Sequence, residues 1–131
     1  MQSTPRLLFI GILTILLATS TDSSAQIAKT SIDEMTDGST SVIHGRTTSV
    51  RSYWTEDQRY IMTDVTLEVE SSLKGSASGR TVVTIPGGRV GSTLYEVSDM
   101  PIFIEGEEVV VFVWRGANGV STVTGGVLGK L

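Results

Sequence analysis

From Tyr60 to Gly91 the chain reads YIMTDVTLEVESSLKGSASGRTVVTIPGGRVG, and this run constrains the fold more than any other. Ile61, Thr63, Val65, Leu67, Val69 and Leu73 fall in one phase of a two-residue period. Met62, Asp64, Thr66, Glu68, Glu70 and Ser72 fall in the other. An alternation this long predicts an antiparallel strand with one face in a core and one in water. Lys74-Gly75 turns the chain, and Gly75-Ser76-Ala77-Ser78-Gly79 supplies a flexible hairpin loop. Thr81 to Ile85 is a short β-branched strand. It is ended by Pro86, which has no N–H to give a ladder.

The flanking segments extend the β pattern. A first strand is expected from Val42 to Trp54. Ile43, Gly45 and Thr47 share one phase, whereas Val50, Ser52 and Trp54 share the opposite one. That change of phase predicts a β-bulge near Thr48-Ser49, which bends a strand and increases its twist. Thr55-Glu56-Asp57-Gln58 is a polar turn. Val90 to Val97 is read as a short fourth strand, and Ser98-Asp99-Met100-Pro101 as a loop. Ile102-Phe103-Ile104 forms an apolar plug ahead of the acidic turn Glu105-Gly106-Glu107. Val109 to Trp114 is continuously apolar, as in a central strand buried on both faces. Asn118-Gly119 is a hairpin signal that pairs it with Val120 to Thr124. The expected fold is all-β: a small antiparallel Greek-key barrel, OB-fold-like, with five to six strands and a short N-terminal helical turn. A sandwich is the alternative.

Three segments are expected. Residues 1–25 read as a signal peptide. Arg6 gives a positive start, Leu7 to Ala18 an apolar stretch, and Ser23-Ser24-Ala25 small residues that place cleavage before Gln26. The apolar stretch is shorter than the ~20 residues that span a bilayer, and no later stretch is a candidate span. Residues 26–40 are polar. Within them Ser31 and Glu34 fit a capping box, leaving a turn or two of helix before Gly38. Residues 41–131 form the β-barrel domain.

Composition narrows the function. There is no cysteine, so packing rather than disulfides must hold the domain, and thiolate metal sites and cysteine nucleophiles are excluded. A formal net charge of −4 with scattered Lys and Arg argues against nucleic-acid binding.

Several motifs together resemble a group of small exported bacterial proteins of unknown function. They are Val42-Ile43-His44-Gly45-Arg46, Tyr60 to Val69, Leu73-Lys74-Gly75, Pro86-Gly87-Gly88-Arg89-Val90-Gly91, Pro101-Ile102-Phe103 and Glu105 to Phe112. They span nearly all of the mature chain. Leu73-Lys74-Gly75, followed by Glu105-Gly106-Glu107 before an apolar strand, is also similar to netrin-like OB domains, of which tissue inhibitors of metalloproteinases are members. That resemblance implies an OB barrel and, as an alternative function, inhibition of an exported protease. The inhibitors of that family act through an N-terminal cysteine, whereas the mature chain is expected to start at Gln26.

No catalytic constellation, cofactor or metal site is expected. His44 is the only histidine, too few nitrogen ligands for a histidine-based zinc site. Gly75-Ser76-Ala77-Ser78-Gly79 has Ala77 where a nucleophile elbow carries serine. A hydrolase centred on His44 is the remaining enzymatic alternative. Asp99, Glu105, Glu107 and Glu108 are read as a solvated acidic turn rather than a calcium site. The leading expectation is an exported, non-catalytic binding or interaction module, periplasmic or extracellular, acting on an exported protein or an envelope component. The loop Gly87, Gly88, Arg89 and the aromatic residues Tyr53, Trp54 and Tyr60 are its candidate binding residues. Glycines leave backbone groups open to a partner, and aromatic rings at OB loops stack on ligands.

Overall fold

A computed structural model of the chain describes residues 32–131. The expected signal peptide, its cleavage site and the Ser31 cap lie outside the described residues.

A helix, α1, covers residues 32–38. Seven strands follow: β1 Ser41–Trp54, β2 Ile61–Lys74, β3 Arg80–Pro86, β4 Gly88–Val90, β5 Thr93–Tyr95, β6 Glu108–Arg115 and β7 Ser121–Val123. A 3₁₀ turn, η1, covers Gly126–Gly129. Five strands form one antiparallel sheet in the order β3-β2-β1-β6-β7. The hairpin-connected strands β1, β2 and β3 lie side by side, and β6 returns beside β1, which is a Greek-key arrangement. The sheet curls until β3 lies against β7. No ladder joins those two strands among the described residues.

The alternation of β2 is realised as far as Leu67; past it Val69 is only half-buried and Leu73 is exposed, where the Glu70 bulge breaks the period. Ile61, Thr63, Val65 and Leu67 are buried, and the intervening residues are half-buried or exposed. The phase change of β1 is also present. Thr47 pairs with Leu67 and Ser49 with Thr66, so Thr48 is the extra, unpaired residue of a bulge. Two further bulges lie on the β2 side, at Leu73 and at Glu70.

The main core gathers Ile43, Val65, Leu67, Val83, Ile85, Phe103, Val109, Val111, Val113 and Val123 inside the curl. Fully burying each such side chain contributes about 1.5–3 kcal/mol. A second cluster, Met35, Val42 and Phe112, lies on the other side of the sheet under α1. The apolar run of β6 is buried on both faces as far as Val113, whereas Trp114, at the strand's end, is exposed. Val109, Val111 and Val113 enter the main core, and Phe112 packs against the helix. Lys74 Nζ donates to Thr36 O at 2.6 Å and ties α1 to the end of β2.

Two sequence expectations change in detail. The single strand expected over Val90–Val97 is instead split by a turn: Val90 ends β4, and Thr93–Tyr95 form β5 of a separate two-stranded hairpin. Gly91-Ser92 turns the chain back after only three residues, pairing Val90 with Thr93 and Gly88 with Tyr95. Asn118-Gly119 does join β6 to β7, but not as the two central residues of a tight turn. Gly119 N donates to Gly116 O at 3.0 Å, and Gly119 takes φ 80°. That is a turn followed by a left-handed residue, the position glycine fills without steric cost.

Candidate binding groove

β3 ends at Pro86, opposite Met62 of β2. The next N–H, from Gly87, still reaches back to Ile61 O at 2.7 Å. Then φ values of 95° at Gly87 and 138° at Gly88 swing the chain off the sheet. It returns as the β4–β5 hairpin, which leans on β1 and β2. Only glycine adopts such angles readily. Space imposes the same choice at Gly88, where a Cβ would overlap the hydroxyl oxygens of Ser52 and Thr63.

Between the hairpin, the inner face of the sheet and residues 98–103 lies a groove of about 630 Å³. Its floor is the edge of the core, with Val50, Val65, Ile85 and Phe103. Leu94, Val97, Met100 and Ile102 form its walls. Leu94 and Ile102 are exposed, so the groove opens to solvent through an apolar rim. This volume lies within the roughly 300–1,000 Å³ typical of small-molecule sites.

The polar groups in the groove form a short relay. Thr63 Oγ1 donates to Gly87 O at 2.6 Å. Its single proton is thereby used, so in the 2.8 Å contact between Ser52 and Thr63 the donor is Ser52. Ser52 Oγ keeps lone pairs and can accept from a ligand. Glu96, on the lining, is a second acceptor. Among the described lining residues there is no histidine and no cation.

The structure distributes the sequence-predicted residues unevenly. Gly87 and Gly88 line the groove. Tyr60 meets the edge of Tyr95 with ring centroids 6.1 Å apart, bracing the β1–β2 hairpin against β5 beside the groove. Arg89 is exposed on β4 and makes no ion pair among the described residues. Trp54 is half-buried at the end of β1, opposite Ile61. Tyr53 belongs to the opposite face, where its hydroxyl donates to Asp64 at 3.0 Å and Arg51 stacks over its ring. Burial, then the hydrogen bond and charge of Asp64, raise the Tyr53 phenol above its ordinary range. Tyr53 thus holds the outer surface of the hairpin and does not join the groove.

The acidic-turn residues Asp99, Glu105, Glu107 and Glu108 do not converge on one another. Glu107 pairs with Lys130. Glu105 accepts from Val50 N at 3.3 Å and Asp99 from Val127 N at 3.4 Å. Glu108 instead reaches His44 at 2.6 Å. Ser71 Oγ lies 3.3 Å from the other ring nitrogen of His44, so a serine, a histidine and a carboxylate do meet. They sit on the outer face of β2, β1 and β6.

Sequence reasoning missed Ser52, Thr63, Leu94 and Ile102. Ser52 and Thr63 read only as inner-face strand positions. Leu94 and Ile102 could have been flagged as apolar residues in short segments with no partner strand. Comparison with known protein families, curated proteins and solved structures finds no match to this chain.

Proposed function

We propose that the chain is an exported, non-catalytic binding module on an OB-type barrel, and that it holds an amphipathic small molecule of the cell envelope in the groove beneath β4–β5. The observation that carries this reading is the groove itself, with an apolar floor and rim around one free hydroxyl acceptor. An apolar body would cover Val50, Leu94 and Ile102. An N–H or O–H on the ligand would donate to Ser52. Glu96 disfavours an anionic head group, so the ligand is neutral or cationic. The OB-type reading is supported by the strand order β3-β2-β1-β6-β7 and the approach of β3 to β7. Export is supported by residues 1–25 of the sequence.

N-Phenyl-1-naphthylamine is a suitable probe, being neutral, aromatic and furnished with one N–H. Its fluorescence should rise on binding and saturate at one molecule per chain. Leu94→Asp and Ile102→Asp alter exposed groove residues. Each should weaken binding about tenfold, the equivalent of about 1.4 kcal/mol. Saturable binding with the same affinity in both variants would overturn the assignment, as would no binding to the wild type.

A further inference from the structure

We infer that His44, Glu70 and Glu108 form a binding site for one divalent transition-metal ion of the zinc class, separate from the groove. One ligand atom from each residue lies within 4.8 Å of the others. The three come from adjacent strands: His44 from central β1, Glu70 from β2 and Glu108 from β6. Strands joined by ladders hold side chains more precisely than loops do.

The bulge at Glu70 assembles the site. His44 pairs with Ser71 and Gly45 with Val69, so Glu70 is the extra residue. In a regular ladder, successive residues point to opposite faces. Here Glu70 and Ser71 both reach the same imidazole. Glu70 Oε2 is 3.6 Å from Nε2, and Ser71 Oγ is 3.3 Å from Nδ1. Bulges commonly re-aim side chains in this way beside functional sites. A hydroxyl on Nδ1 is the outer contact that orients a metal-binding histidine and directs Nε2 at the ion.

Charge and distance both call for a cation. Two carboxylates converge on Nε2, and one proton there can serve only one of them. Among the described residues, Arg46 is the only Lys or Arg that pairs with either carboxylate, at 4.0 Å from Glu70, and it also donates to Gly106 O. Zinc bonds of about 2.1 Å in a tetrahedron put ligand atoms about 3.4 Å apart. The Nε2–Glu70 distance of 3.6 Å already fits that edge. Glu108, now 2.6 Å from Nε2, needs to move outward by under about 1 Å, and its side chain is exposed. One nitrogen and two oxygens leave a fourth position open to water.

The test uses the full mature chain. Zinc titration by calorimetry should show one ion per chain. Cobalt(II) should give visible absorption bands of low-symmetry coordination. His44→Ala and Glu70→Gln should each weaken binding at least tenfold, and Ser71→Ala about tenfold. Thermal melts of the apo variants establish that they fold. Absence of binding at millimolar zinc would overturn the site. So would unchanged binding in folded His44→Ala.

Discussion

Thr47 is fully buried on the inner face of β1, and its hydroxyl has no hydrogen-bond partner among the described residues. Its backbone is fully used, donating to Glu107 O and accepting from Gly106 N. An unsatisfied buried polar group costs about 1–3 kcal/mol. Thr47→Val replaces the hydroxyl by a methyl of similar size and should stabilise the protein by about 1 kcal/mol. That raises the thermal midpoint by about 4–8 °C for a domain of this size. A lower midpoint would mean that the hydroxyl is satisfied after all. Glu107 is the opposite case. Burial pushes its carboxyl up, but hydrogen bonds from Lys130 and Ile104 N–H, with the Lys130 charge, outweigh burial and hold it below its ordinary range. The unfolded chain therefore takes up this proton first as the pH falls. The stability from Glu107 is present above the ordinary glutamate value of about 4.3 and is lost below it, through the lower folded value. Melts between neutral and acid pH should show a smaller acid-induced loss for Glu107→Gln than for wild type. Parallel curves would contradict this.

Among elements, the β4–β5 hairpin depends on Gly87 and Gly88, and Gly88 is the tighter of the two. Gly88 combines a φ of 138° with hydroxyls where a Cβ would stand. Gly88→Ala therefore adds backbone strain, about 1–3 kcal/mol, to a clash with Ser52 and Thr63. It should lower the midpoint by at least about 4 °C and weaken probe binding in the groove. A wild-type midpoint with intact probe binding would show that the hairpin is not seated there. The long strands were legible because β2 offers seven turns of its two-residue period and only one face can be buried. The Thr48 bulge was legible because it shifts that period. β4 and β5 were not, because three residues contain too little alternation to distinguish one strand from two. The Glu70 bulge escaped as well. Glu70 keeps the phase of Glu68, and only the register against β1 shows that it is unpaired.

At the scale of the molecule, the curled sheet leaves one end of its core uncapped by strands, and the hairpin with residues 98–103 roofs it incompletely. That roof makes the groove. Pro86-Gly87-Gly88 announced itself in the sequence because nothing in a regular strand requires it. The groove did not, because Ser52, Thr63, Leu94 and Ile102 meet only after β1, β2, β5 and the 98–103 segment have folded together. Tyr53 marks the limit of reasoning from residue type: an aromatic residue beside the right turn faces away, into a network with Asp64 and Thr84. The proposed function places the ligand in the groove beneath β4–β5, and amide chemical shifts followed by NMR during titration with N-phenyl-1-naphthylamine check that placement. Saturable shifts should concentrate at Ser52, Thr63, Gly88, Leu94 and Ile102 and leave His44, Glu70 and Tyr53 unmoved. Shifts centred on the outer face, with the groove residues unmoved at saturation, would contradict it.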